Sequence, residues 1–181
     1  HKAEIVLPYT VYGTDYGGWP LLDHNTPRGA LVYSFGVGED ISFDLGAIQR
    51  FDVQVHAFDP TPRSLAWVSQ QDLPSNFVFH PVGIAAVNGE VEFFAPAKDG
   101  NVSYSSDPAD KSDLGKKISA PVKRRSTLIA EVGTPTPHIL KMDVEGFEYD
   151  VIADVLTSGI FPDQWLIEFH HRMYNIELQR T

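Results

Sequence analysis

The sequence predicts an α/β fold, a mostly parallel sheet with helices on both faces. Three observations predict it. Short apolar runs of strand length recur along the chain, at 30–35, 53–58, 77–79, 138–142 and 164–169. Stretches with helical spacing and capping signals fall between most of them. Glycines and acids gather just after the first two runs, where ligands bind in sheets of this kind.

The elements follow in order. Residues 1–28 are rich in Tyr, Gly and Pro, including Tyr9, Tyr12, Tyr16, Gly17, Gly18, Trp19 and Pro20. They read as an ordered aromatic segment in loop conformation rather than a linker. Ala30 to Phe35 is an apolar run ended by Gly36, a buried first strand. Asp40 can cap a helix running to about Phe51, with Ile41, Leu45 and Ile48 on one face. Val53 to Phe58 is the second strand, closed by Asp59-Pro60-Thr61-Pro62. The next helix has Pro62 in its first turn and Leu65 and Val68 facing inward.

Phe77 to Phe79 is the third strand. Asn88-Gly89 stands between two β-like stretches, Gly83–Val87 and Glu90–Phe94, and predicts a hairpin. Residues 96–120 are polar and read as a mobile loop. Thr127–Val132 is a short helix, and His138 to Met142 the fourth strand. An amphipathic helix from about Glu145 to Leu156 ends at Gly159, where a C-terminal cap belongs. Gln164–Phe169 is the fifth strand. The whole, residues 1–181, is expected to be one domain with its core in 30–172.

Composition excludes several classes of protein. The chain has 14 Lys and Arg against 24 Asp and Glu, a net charge of −10, with 43% hydrophobic residues. That hydrophobic content excludes a largely disordered chain. No apolar run approaches the roughly 18 residues of a membrane helix. The acidity argues against nucleic acid as a partner, because phosphate binding needs clustered cations over much of a surface. With no cysteine, disulfide scaffolds, thiol nucleophiles and cysteine zinc sites are excluded. The chain opens on His1 with no charged-then-apolar leader, so a trimmed N-terminus and a cytoplasmic location are expected.

Two features point to a ligand site. Ser34-Phe35-Gly36-Val37-Gly38-Glu39-Asp40 joins the first strand to its helix, and its glycines allow a sharp turn and close approach to a ligand. Asp59 ends the second strand 21 residues after Gly38, where an acid can accept hydrogen bonds from both ribose hydroxyls. A dinucleotide fingerprint would have a third glycine where Ile41 stands, and Glu39 and Asp40 would repel a pyrophosphate at the helix start. A cationic nucleoside without phosphate fits better, and S-adenosylmethionine is such a ligand.

Three stretches carry a family resemblance: Leu31 to Asp40, Val55 to Pro62, and Leu140-Lys141-Met142-Asp143-Val144-Glu145-Gly146-Phe147-Glu148. They resemble the FkbM-like methyltransferases, S-adenosylmethionine-dependent enzymes with the class I, Rossmann-like fold. The last stretch is the most specific, and the resemblance covers about residues 16–172. It implies that Ser34, Gly36, Gly38, Glu39 and Asp40 wrap the methionine part of the cofactor. Asp59 would hold the ribose, Gly83 and its neighbours would border the adenine, and Asp143 would sit by the cofactor's amino-acid end or its methyl group. Tyr16 to Trp19 would cover the cofactor. The chain departs from many class I enzymes at Ser34, where they carry an acid, and at Asp40, where they carry a third glycine. Members also usually continue with two more strands, so the fifth strand is expected as an edge that those strands or another subunit would cover.

Methyl transfer to a hydroxyl needs a base near the acceptor. Glu145, expected at a helix start, and His170 and His171, after the fifth strand, are the candidates. Strand alternation would place the two histidines on opposite faces. Asp143, Glu145, Glu168 and His170 offer metal-ligand chemistry, but their spacing is no recognised motif, so no metal is assigned. Lys116, Lys117, Lys123, Arg124 and Arg125 place 5 of 14 basic residues in ten positions, read as a solvated loop. The expected activity is O-methylation of a small molecule or glycan. A nicotinamide-dependent oxidoreductase and a non-catalytic cofactor-binding or interaction domain are the alternatives.

Overall fold

In the computed structural model, residues 7–96, 114–134, 136–159 and 161–170 are described. The elements are β1 (Thr10–Tyr12), β2 (Trp19–Leu21), β3 (Leu31–Phe35), α1 (Ser42–Phe51), β4 (Gln54–Phe58), α2 (Pro62–Val68) and β5 (Phe77–His80). Then come β6 (Gly83–Ile84), β7 (Gly89–Pro96), β8 (Leu114–Lys123), α3 (Arg125–Val132), β9 (Ile139–Met142), α4 (Glu148–Ser158) and β10 (Gln164–Ile167).

Five strands form one parallel sheet in the order β10-β9-β3-β4-β5. The order reverses at β3, the first strand of the sheet in sequence, so a crevice opens at its carboxyl end. Both faces of the sheet are covered, so its strands are apolar on both sides. Val32, Val55, Ala57 and Ile139 pack with Ala47 and Phe51 of α1 and Val68 of α2. Leu31, Tyr33, Phe35, Phe58, Leu140 and Met142 pack with Leu128 of α3 and Val151 and Val155 of α4. The period of two along β3 thus sorts its side chains between two cores.

Local signals explain several boundaries. Thr61 caps α2, its hydroxyl accepting from the Ser64 amide at 3.3 Å, with Pro62 just inside. Gly159 ends α4 in the left-handed conformation at φ 66°.

Other expectations change. The aromatic N-terminal segment contains a small antiparallel pair, β1 with β2. Asn88-Gly89 does not join two paired strands: β6 and β7 both pair with β8, in the order β6-β8-β7. Part of the expected loop at 96–120 is therefore the strand β8, and residues 97–113 lie outside the described residues. Leu65 is exposed rather than inward, because α2 is short and buries only Ser64 and Val68. Of the basic cluster, Lys117 pairs with Glu92, Lys123 pairs with Glu131, and Arg125 is buried. Among the described residues, no helix is long and apolar enough to cross a membrane.

Candidate active site

Strand register brings the site residues together. Phe35 of β3 is level with Met142 of β9, and Met142 is level with Ile167 of β10. The next residue of each strand is Gly36, Asp143 and Glu168, so these form one row at the carboxyl edge. Hydrogen bonds continue past the strands to hold the row: the Asp143 amide donates to the Phe35 carbonyl at 3.1 Å, and the Glu168 amide to the Met142 carbonyl at 3.0 Å. Above it lies a cleft of about 860 Å³, partly open to solvent.

One wall is the glycine turn. Gly36 has φ 80° and Gly38 φ 57°, both left-handed. A Cβ on Gly36 would lie 1.8 Å from the Asp143 carbonyl oxygen, so only glycine allows the two strand ends this approach. A Cβ on Gly38 would meet nothing within 4 Å. Gly36, Gly38, Glu39, Asp40, Asp59, Gly83, Asp143 and Glu145, all named as candidates from the sequence, line the cleft. Tyr16 lines it too, and the Thr14 hydroxyl donates to Asp40 Oδ2 at 2.7 Å, tying the N-terminal segment to the turn.

Ser34 does not line the cleft. It is fully buried and faces the Asp44 carboxylate on α1. Asp44, four residues after Asp40, is 2% exposed and does not line the cleft. Burial pushes the Asp44 carboxyl up to about 6, offset by the Lys141 charge and the Ser34 hydroxyl. The Lys141 ammonium donates to the Gly36 carbonyl at 2.7 Å and sits 5.1 Å from the centre of the Trp19 ring. Asp44 and Lys141 escaped the sequence reading. Yet Asp44 shares the face of Ile41, Leu45 and Ile48, and Lys141 interrupts a buried strand.

Asp59 is placed as expected but is engaged differently. Its Oδ2 accepts from the amides of Val37 and Gly38, both at 3.0 Å. Its Oδ1 accepts from the Thr61 amide at 2.8 Å and the Thr61 hydroxyl at 2.7 Å. A carboxylate has about four acceptor positions, so these bonds fill it. Asp59 braces the glycine turn, and a ribose hydroxyl would have to replace one of these bonds. Glu39 is held by Arg63 in a two-pronged pair at 2.8 and 2.9 Å.

Glu145 does not open a helix. The helix starts at Glu148, and Glu145 sits in the preceding turn at φ 50°, a costly conformation for a residue with a side chain. That turn aims its carboxylate at His170, with Oε2 3.6 Å from Nε2. Asp143 Oδ1 is also 3.6 Å from Nε2, and Glu168 Oε1 is 4.0 Å from it. On the other side of the ring, Nδ1 lies 2.8 Å from Oε1 of the fully buried Glu148. The same Glu148 oxygen accepts from the Gly146 amide at 3.1 Å.

Burial alone would lower the His170 pKa. The hydrogen bond to Glu148 and the charges of Glu145, Glu148 and Asp143 outweigh it and raise the value to about 9. His170 is therefore held as an imidazolium at neutral pH and is poorly suited as a base. Burial raises Asp143 to about 6; Lys141 opposes this, and Glu145 and Glu168 add to it. His171 lies outside the described residues.

A parallel sheet in this order, with a glycine turn at the switch point and helices on both faces, defines a Rossmann-like α/β fold. Residues 37–179 match the Methyltransferase FkbM domain. The chain belongs to that family and is a methyltransferase. No similar curated protein and no similar solved structure was found.

Proposed function

We propose that the protein transfers a methyl group from S-adenosylmethionine to a hydroxyl of a small molecule or glycan. The observation that carries this reading is Glu145, a carboxylate in the cleft lining on a strained turn, two residues after Asp143. A hydroxyl acceptor needs a group to take its proton, and we assign that work to Glu145, whose place in the cleft lining supports the reading.

The residues present fit the cofactor. Gly38 leaves open space where a side chain would intrude, and Lys141, the cation of the cleft lining, suits a carboxylate. Phe35, Phe58, Ile84 and Phe93 give the cleft apolar surface for a base. The cofactor's sulfonium supplies the methyl group. The turn from Gly36 to Asp40 would hold the methionine part, Gly83 and Ile84 would border the adenine, and Tyr16 would shield the opening. Asp59 keeps the turn in shape and would reach the ribose only by exchanging one of its bonds. Glu145 would take the proton from the acceptor hydroxyl as the methyl carbon bonds to that oxygen and its bond to sulfur breaks, the thioether S-adenosylhomocysteine being the leaving group.

Calorimetry with S-adenosylmethionine and with NAD tests the cofactor, and a screen of sugars, polyketides and small phenols with labelled methyl donor tests the acceptor. Glu145→Gln should keep cofactor affinity and lose about a hundredfold or more in turnover. Binding of NAD in place of S-adenosylmethionine refutes the cofactor, and full turnover by the variant refutes the base. Methylation confined to nitrogen acceptors refutes the hydroxyl reading.

A further inference from the structure

Asp143, Glu168 and His170 each offer one ligand atom, and the three atoms lie within 4.8 Å of one another. Ligands on one divalent ion sit about 2.1 Å from it and therefore about 3–4 Å apart, so small side-chain movements suffice. The set is an imidazole and two carboxylates from two adjacent strand ends, with Glu145 beside them.

Three features go beyond a mere collection of acids. His170 is buried, its side chain only 8% exposed, so the imidazole is not a solvated surface group. Its orientation is fixed from behind by Glu148, a carboxylate with no exposure, so that Nε2 faces the acids. Carboxylate support of this kind is what metal-bound histidines commonly have. And Asp143 lines the cleft while His170 does not, so an ion here would have its protein ligands on one side and the cleft on the other.

We propose that Asp143, Glu168 and His170 Nε2 bind a divalent cation, oriented by Glu148, with its open positions toward the cleft. One imidazole with carboxylates is a borderline-to-hard donor set, which suits Mn²⁺ and related ions better than soft metals. There the ion takes oxygen ligands from an acceptor, such as neighbouring hydroxyls, and favours loss of their proton. That use rests on the methyltransferase reading above; binding of the ion does not.

The test is Mn²⁺ titrated into the full chain without cofactor, followed by calorimetry and by electron paramagnetic resonance. One tight equivalent is expected, with pulsed resonance showing coupling to an imidazole nitrogen. Asp143→Asn and Glu168→Gln should each weaken binding about tenfold or more, and Glu148→Gln by a similar factor. Glu92→Gln, on the far sheet, should leave it unchanged. Absence of saturable Mn²⁺ binding, or binding without the nitrogen coupling, overturns the proposal and leaves His170 as an imidazolium among carboxylates. The wild-type resonance decides this even where a variant fails to fold. Mn²⁺ binding without S-adenosylmethionine binding would sink the methyltransferase mechanism and leave the ion site standing.

Discussion

Replacing His170 with Gln, in the presence of a chelator, removes the positive charge at the centre of the carboxylate cluster. The native imidazole has a pKa of about 9 against an ordinary 6.5. A difference of this size corresponds to roughly 3 kcal/mol of folding stability. A basic group with a raised pKa stabilises fully below its unfolded value, and this contribution disappears as pH rises through the folded value. The wild type should therefore lose that stability between about pH 6.5 and about pH 9, and His170→Gln should show no such loss. Asp143, raised from 3.8 to about 6, acts in a separate window. The fold keeps its proton longer than the unfolded chain does. The Asp143 contribution therefore falls as pH rises from about 4 to about 6 and is constant above that. Urea unfolding at a series of pH values, followed by circular dichroism and by Trp fluorescence, measures both. A difference between wild type and His170→Gln that is the same at about pH 6 and about pH 10 would refute the charge assignment.

The glycine turn gives a contrast of two similar substitutions. Gly36→Ala places a methyl against the Asp143 carbonyl and should cost more than about 3 kcal/mol, or prevent folding, whereas Gly38→Ala meets open space and should cost about 1 kcal/mol of backbone strain. Equal melting temperatures for the two variants would contradict the close approach of β3 and β9. Asp59→Asn leaves one pair of donors facing an amide instead of an acceptor, and should cost about 2–3 kcal/mol in urea unfolding along with cofactor affinity. A variant with wild-type stability that has lost only S-adenosylmethionine binding would show that the carboxylate serves the ribose and not the turn.

The sheet was largely readable from sequence because its strands are buried on both faces. Ala30–Phe35, Val53–Phe58 and His138–Met142 are apolar runs of the right length, and β3, β4 and β9 fall within them. The small second sheet was not. Asn88-Gly89 is a strong local hairpin signal, but β6 and β7 take their hydrogen bonds from β8, which follows a long connection. Strand β8 is half polar, and only the alternation of Ile118, Ala120 and Val122 marks its buried side. The turn residues Gly36, Gly38 and Asp59 were found because they are near in sequence to their strands. The partners of Asp59 were not, since its bonds depend on the depth at which the turn folds back over β4.

The acids of the cleft divide by what already holds them, and this changes how the net charge of −10 bears on function. Glu39 is matched by Arg63, Asp40 accepts from Thr14 and Ser42, and Asp59 accepts from the turn it braces. These three lie at the glycine turn and the end of the second strand, and their charge is largely met by protein donors. Asp143, Glu145, Glu148 and Glu168 are different, because four carboxylates converge on one imidazole. A single proton on His170 leaves that cluster with an excess of negative charge in a partly buried place, which is costly. A positive charge arriving from the cleft relieves it, whether a sulfonium or a divalent ion. The sheet register that makes Gly36, Asp143 and Glu168 neighbours thus puts the glycine turn beside this concentration of negative charge.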